Sequence, residues 1–173
     1  FYKEFANQGL TSTDCPIMAF SVAEDELRAM DVPPLVGHLA AWNYYQSIDT
    51  PENNKFVEAF KAKFGEDRVT DDPIEAAYFG VYVWAAAAEK AQSLAVDDVR
   101  EAVYGLEFDA PGGKKQMHAS NQHTLKAVYI GEIREDGQFD IVNSSEGLVS
   151  PDSYSAYLWP DGDFPAPTGG PKK

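Results

Sequence analysis

The chain has 173 residues, 44% hydrophobic and 13% aromatic, which is enough apolar material to bury the core of one domain. Its 28 acidic residues outnumber 14 basic ones, giving a formal net charge of −14. This balance excludes nucleic acids and anionic membranes as partners, because both need clustered Lys and Arg. No segment approaches the run of about 18 apolar residues that a transmembrane helix needs, so we also expect no membrane insertion.

The first residues, FYKEFANQG, resemble the end of an amphipathic helix that stops at Gly9. The chain lacks an initiator Met and a cap before Phe1. We therefore expect it to be a piece of a longer protein, and the missing signal peptide carries no information.

A short apolar strand is predicted over residues 15–20, with Cys15 as a small buried thiol at its start. Ser21 and Glu24 follow at capping-box spacing and predict a helix over residues 23–30.

A second strand is predicted over residues 35–45, and it ends in the aromatic and amide cluster WNYYQ. Thr50 and Pro51 then have the chemistry of a helix cap and first helical residue. The predicted helix ends at Gly65 and places three aromatic rings four residues apart on one face: Phe56, Phe60 and Phe64.

The sequence DDPIE predicts another helix start, with Asp72 as the cap and Asp71 as the freer carboxylate. The helix continues through Ala91. Its predicted buried stripe consists of Ala77, Val81, Trp84 and Ala88.

A further short helix is predicted over residues 96–104, followed by strands from residue 106 onwards with a tight hairpin at Asp136 and Gly137. The tail at residues 151–173 is rich in Pro and Gly and predicts no regular element, so residues 1–150 form the folded part. Alternating strands and helices in the first hundred residues predict an α/β fold with a mainly parallel sheet.

Three polar segments follow predicted strands or open predicted helices, at residues 21–24, 42–46 and 71–75. In open α/β sheets, ligands collect at the carboxyl ends of strands and at the helix N-termini beside them. We therefore expect these segments to converge on one site.

Five stretches in this order resemble the later part of type I periplasmic solute-binding proteins of the branched-chain amino acid and amide class. They are FSVAEDELRAM, LAAWNYYQSIDTPENNKFVEAFKAKFG, VTDDPIEAAYFGVYVWA, EAVYGLEFDAPGGK and NQHTLKAVYIGEIREDGQF, with a PDSYSAYL tail. Within that class they are most similar to the urea-binding components of urea ABC transporters.

The resemblance implies a two-lobed clamp of parallel sheets flanked by helices, of which only the later part is present, and a solute held between the lobes. It implies delivery of urea or a short amide to the membrane permease of an ABC importer, a periplasmic or other extracytoplasmic location, no enzymatic activity and no cofactor.

Urea has one carbonyl acceptor and four N–H donors, and each must be satisfied when the molecule is buried. Carboxylates and hydroxyls accept from N–H groups, a hydroxyl donates to the carbonyl, and an aromatic ring covers the planar face. The candidate ligand-binding residues are Ser21, Glu24, Trp42, Tyr44, Asp71 and Asp72.

Several of these residues have a second explanation. Ser21 and Glu24 are equally explained as a capping box, and Tyr45 is expected to point away from Tyr44 into the core. In related amino-acid binders a glutamate in this region pairs with a ligand ammonium group, so a branched-chain amino acid is a second possible solute. Two different functions also fit the same residues: an amide-sensing cytoplasmic regulator, and a hydrolase that uses Glu24 and Asp72 as acid and base.

Overall fold

The computed structural model describes residues 1–152, and the predicted tail from residue 153 onwards lies outside that range. The helices are α1 (Tyr2–Asn7), α2 (Glu24–Arg28), α3 (Pro51–Phe64), α4 (Asp72–Ala91) and α5 (Val96–Ala102), with a 3₁₀ turn at Pro33–Leu35. The strands are β1 (Met18–Ala19), β2 (Leu39–Trp42), β3 (Glu107–Ala110), β4 (Gly113–Met117), β5 (Thr124–Leu125), β6 (Tyr129–Ile133) and β7 (Phe139–Ser144).

The described strands form two sheets. The larger has the order β1-β2-β6-β7 and contains one parallel pair, β1 with β2, while its other pairs are antiparallel. The smaller sheet, β3-β4-β5, is antiparallel throughout. The α/β fold is confirmed, but the larger sheet is mixed and the smaller one antiparallel, rather than mainly parallel, because tight turns such as the one at Gly137 (φ +74°) join antiparallel neighbours.

Apolar side chains separate into clusters on the two sheets. The larger sheet packs on α1 and α2 through Tyr2, Leu27, Leu35, Ala40, Tyr45, Ile133 and Phe139. The smaller sheet packs on α4 through Phe79, Val83, Ala110 and Met117. A third cluster of Tyr44, Ile48 and Phe56 lies under the start of α3. Along the chain, the first cluster is left after Tyr45 and joined again at Tyr129, and the second cluster is built from residues between Ala76 and Met117.

Helix α3 begins and ends as predicted. The Thr50 hydroxyl accepts from the Asn53 N–H at 3.1 Å, and the helix stops before Gly65. Of the predicted aromatic face, only Phe56 is buried, and Phe64 is 53% exposed.

The start of α2 differs from its prediction. The Glu26 carboxylate, not Glu24, caps this helix by accepting from the Ala23 N–H at 2.8 Å. Ser21 lies outside the helix and is exposed. The prediction of a buried Cys15 is wrong as well, since the thiol is exposed.

The predicted buried stripe of α4 is also wrong. Val81 and Trp84 are 65% and 53% exposed, and Ala77 is exposed too. The buried face runs through Phe79, Val83 and Ala87, with Ala88 the one member of the predicted stripe that is buried. Within residues 1–152, no helix combines the length and apolarity required to cross a membrane.

Candidate functional site

The three predicted polar segments meet around the residues that leave β2. The Gln46 N–H donates to the Glu24 carboxyl, and the Gln46 side chain accepts from the Thr70 N–H. The Asn43 backbone N–H lies beside Asp72 and favours its ionised form, which lowers the pKa of that carboxyl. These contacts bring together the start of α2, the exit of β2 and the residues that lead into α4.

Glu24 is fully buried at the start of α2. Its Oε1 accepts from the Gln46 N–H at 2.7 Å, and its Oε2 has no hydrogen-bond partner among the described residues. Burial raises the pKa of Glu24 to about 8, helped by the nearby charges of Asp71 and Asp72, while the Gln46 N–H opposes the shift. At neutral pH this group is therefore mostly a neutral carboxylic acid.

Asp71 and Asp72 exchange the roles that the sequence predicted. Asp71 is the cap of α4, since its Oδ1 accepts from the Ile74 N–H at 2.9 Å. Asp72 is the first helical residue, and its buried Oδ1 has no hydrogen-bond partner in residues 1–152. Burial raises the pKa of both carboxyls, and Lys126 and Lys115 oppose the shift at Asp72.

A buried ion pair lies one helical turn further along α4. Glu75 Oε1 is 3.1 Å from Lys115 Nζ, and both side chains are at most 1% exposed. The same oxygen accepts from the Gly112 N–H at 3.1 Å, whereas Oε2 has no partner in the described part of the chain. Burial raises the pKa of Glu75 and lowers that of Lys115. The charge of each group opposes these shifts, because it favours the ionised form of the other.

The turn between β3 and β4 approaches this ion pair closely. A Cβ at Gly112 would lie 3.0 Å from Lys115 Nζ and 3.3 Å from the Asn43 carbonyl oxygen. Lys115 and Lys126 also lie 5.1 and 5.0 Å from the centre of the Phe79 ring. Glycine at position 112 therefore lets the turn bring Lys115 against α4.

The remaining predicted residues lie around this group rather than in it. Tyr44 is fully buried, and its hydroxyl is 2.7 Å from both Asn53 Oδ1 and Thr70 Oγ1, so that hydroxyl has two protein partners. Trp42 is half-buried and donates its indole N–H to the Val22 carbonyl at 2.8 Å.

Tyr44 and Tyr45 point into different clusters, as predicted from strand alternation. Tyr45 lies in the main core, where its ring centre is 4.7 Å from that of Phe139. Its hydroxyl donates to the Ala40 carbonyl.

The unpaired carboxyl oxygens and the neighbouring lysines together indicate which kind of solute these residues suit. Buried carboxyl oxygens without protein partners in residues 1–152 remain on Glu24, Asp72 and Glu75. The two cations nearby, Lys115 and Lys126, already act on Glu75 and Asp72. Such a site suits a neutral donor of N–H groups better than an anion. Over the same residues, no set of three or more His, Cys, Asp or Glu side chains is arranged to hold a metal ion.

Lys115 and Lys126 are the site residues that the sequence analysis missed. Glu75 stood in one of the three predicted polar segments, at the third helical position, but without an assigned role. Its i, i+3 spacing from Asp72 places both carboxyls on one helix face, which was a usable signal. No signal in the sequence indicated that Lys115, 40 residues away and flanked by Lys114, would be the buried lysine.

Comparison with known proteins agrees with this fold. Residues 1–160 match the family described as "Periplasmic binding protein domain". The chain is 29% identical over 150 residues to Leu/Ile/Val-binding protein homolog 6 of Brucella abortus, covering 80% of this chain and 37% of that protein. It is 36% identical over 110 residues to a protein of Geobacillus stearothermophilus named limonene hydroxylase, covering 64% of this chain and 20% of that protein.

Among solved structures, the chain is similar to an ABC transporter solute-binding protein of Rhodopseudomonas palustris BisB5, determined in complex with 3,4-dihydroxybenzoic acid. The TM-score is 0.75 at 21% identity, over 87% of this chain and 42% of that one. This likeness concerns the fold. The chain thus spans about two fifths or less of the length of these relatives.

Proposed function

Because this chain belongs to the periplasmic binding protein domain family, we propose that it is part of an extracytoplasmic solute-binding protein that captures urea or a short amide between two lobes. The captured solute would pass to the permease of an ABC importer. The observation that carries this proposal is the pair of buried carboxyl oxygens on Glu24 and Asp72 that lack partners in residues 1–152, near a lysine, Lys115, that is already paired with Glu75.

In this proposal the Glu24 carboxyl binds the carbonyl oxygen of an amide, and the Asp72 carboxylate binds one of its N–H groups. Glu24 Oε1 accepts the Gln46 N–H, so the proton of the neutral acid is best placed on Oε2. Oε2–H would donate to the solute carbonyl, and Asp72 Oδ1 would accept from a solute N–H. An anionic solute would face three carboxyl groups, Asp71, Asp72 and Glu75, and Lys115 is already paired with Glu75, which makes a benzoate unfavourable here.

A branched-chain amino acid is the second candidate, supported by the name of the Brucella relative. Its ammonium group would require the ionised form of Glu24. The two solute classes therefore predict opposite pH dependences. Affinity for a neutral amide falls as Glu24 ionises above about pH 8, whereas affinity for an amino acid rises over the same interval.

The experiment is isothermal titration of the full-length gene product with urea, acetamide, leucine and 3,4-dihydroxybenzoate at pH 6.5 and pH 9. We expect urea or acetamide to bind, more tightly at pH 6.5. Glu24→Gln should bind about as well at pH 6.5 and should not lose affinity at pH 9, because its amide accepts on the oxygen and donates from the nitrogen as the neutral carboxyl does, but cannot ionise. Glu52→Gln, an exposed carboxylate in the first turn of α3, is the matched control.

Other results would contradict the proposal in defined ways. Binding of leucine that strengthens at pH 9 would support the amino-acid candidate. Binding of the benzoate alone would refute the charge argument. Export to the periplasm is tested by fractionation of cells that express the full-length gene product, and a cytoplasmic location would favour a sensing regulator.

A further inference from the structure

We propose that Gln46 is the positioning residue of this site, holding Glu24 with one carboxyl oxygen unpaired within residues 1–152 and joining it to the segment that leads into Asp71. This inference deepens the proposed function and rests on it. Gln46 touches no solute in this scheme, and its effect passes through the two carboxyl residues.

The backbone of Gln46 determines which oxygen of Glu24 is available. The Gln46 N–H donates to Oε1 at 2.7 Å, while Oε2 has no partner among residues 1–152. Glu24 is fully buried, so its carboxyl has little room to exchange the two oxygens. The position of residue 46 therefore determines the direction in which Glu24 presents its free oxygen.

The side chain of Gln46 in turn holds that backbone in place. Its Oε1 accepts from the Thr70 N–H at 2.8 Å and lies 3.3 Å from the Thr70 hydroxyl. Its Nε2 donates to Gln138 Oε1 at 3.1 Å, in the turn between β6 and β7. The backbone carbonyl of Gln46 accepts from Asn53 Nδ2 at 2.9 Å.

These contacts connect parts of the chain that are far apart in sequence. Thr70 is buried and directly precedes Asp71, the cap of α4. One glutamine thus links the first residue of α2 with the residues that open α4. At the other end of the same segment, the Asn43 backbone N–H lies beside Asp72, and its Nδ2 donates to the Ala127 carbonyl at 2.7 Å.

A glutamine with this many bonds has a simpler explanation, which is that it only stabilises the fold. The two explanations differ in what happens to Glu24. A purely stabilising residue lowers the unfolding temperature when it is replaced and leaves the Glu24 carboxyl of the folded protein as it was. A positioning residue changes the environment of that carboxyl in molecules that are still folded.

The test replaces Gln46 with Met in the full-length gene product, because Met has similar length and no amide. Gln116→Met, on β4, is the matched control, since Gln116 is half-buried and bonded at one end to Glu107. The first readout is the carboxyl ¹³C signal of Glu24 followed through a pH titration and assigned with Glu24→Gln. The second is the dissociation constant for urea and acetamide.

We expect the Glu24 titration midpoint to move upwards in Gln46→Met, because the N–H that stabilises the ionised carboxylate is no longer held in place. We also expect about tenfold weaker binding of whichever amide the parent protein binds, the loss of roughly one hydrogen bond to a polar site. Gln116→Met should change neither readout.

An unchanged Glu24 titration in folded Gln46→Met would overturn the proposal, even if the unfolding temperature falls. If the parent protein binds neither amide, the proposed function fails, while the titration still decides the role of Gln46. If Gln46→Met does not fold, Gln46→Asn replaces it, because it keeps the amide but is one methylene too short to reach Thr70.

Discussion

Burial of Glu24 without a cationic partner among residues 1–152 makes a specific prediction about stability. The carboxyl has an ordinary pKa of about 4.3 in an unfolded chain and a pKa of about 8 in the fold. A raised pKa means that the folded state holds this proton more tightly than the unfolded state. The stability that Glu24 contributes is therefore complete below about pH 4 and is lost as the pH rises through about 8.

The size of the effect follows from the shift. A pKa difference of 1 corresponds to about 1.4 kcal/mol. Relative to its value below about pH 4, the free energy of unfolding is therefore lowered through Glu24 by about 3–4 kcal/mol at pH 7 and by about 5 kcal/mol above pH 8. Glu24→Gln keeps the acceptor for the Gln46 N–H and cannot ionise. The variant should therefore become more stable than the parent protein as the pH rises.

The assay is unfolding by guanidinium chloride or by heat, without urea, at intervals from pH 5 to pH 9. Burial also raises the pKa of Asp71, Asp72 and Glu75, so the difference between variant and parent is the informative quantity because those groups are common to both. Glu52→Gln provides the baseline for an exposed carboxylate. Parallel stability curves for Glu24→Gln and the parent protein would refute the assignment of a buried, neutral Glu24.

Three further substitutions test the surroundings of the site by denaturant unfolding. Tyr44→Phe should cost about 1–3 kcal/mol, because it removes a hydroxyl that bonds two buried groups and leaves Asn53 Oδ1 without that partner. Gly131→Ala should cost about 1–3 kcal/mol, because its Cβ would lie 2.6 Å from the ring of Tyr45. Asp71→Ala should cost about 0.5–2 kcal/mol through loss of the α4 cap. A neutral result for any of them would contradict the contact on which it rests.

Helix ends were predictable from sequence where their chemistry is local. Thr50 and Pro51 define the start of α3, and Gly65 follows its end, because caps and glycine stops act within a few residues. The exchange of roles between Asp71 and Asp72 shows that cap chemistry locates a helix start only to within one residue. Proline occupies either the first or the second helical position, and the sequence alone does not distinguish the two registers.

The buried face of α4 was not predictable in the same way. The helix carries alanine or aromatic residues on nearly every side, so an apolar stripe of helical period can be drawn through several faces. The face through Phe79 and Val83 is buried because the smaller sheet packs there. That choice depends on β3 and β4, which come more than twenty residues later.

The meeting of the three polar segments was predictable in outline, because strand ends and helix starts meet at one edge of an α/β fold. Two of the residues whose buried carboxyl oxygens lack partners in residues 1–152, Glu24 and Asp72, were among the candidate ligand-binding residues. The sequence did not identify the ion-pair partner of Glu75. Lys115 joins Glu75 only through the turn at Gly112, a tertiary contact with no local sequence pattern.

The cluster WNYYQ at the end of β2 illustrates why composition alone misassigns roles in such a site. Its aromatic rings, hydroxyls and amides are the groups that a small amide requires, yet here they bind other parts of the chain. Tyr44 bonds Asn53 and Thr70, and Gln46 bonds Glu24 and Thr70. A buried carboxyl can keep an oxygen free only if its surroundings are rigid, and rigidity needs satisfied polar bonds. The residues whose chemistry suits contact with a solute are therefore bonded to the protein around Glu24 and Asp72, whose carboxyls each keep an oxygen without a partner in residues 1–152.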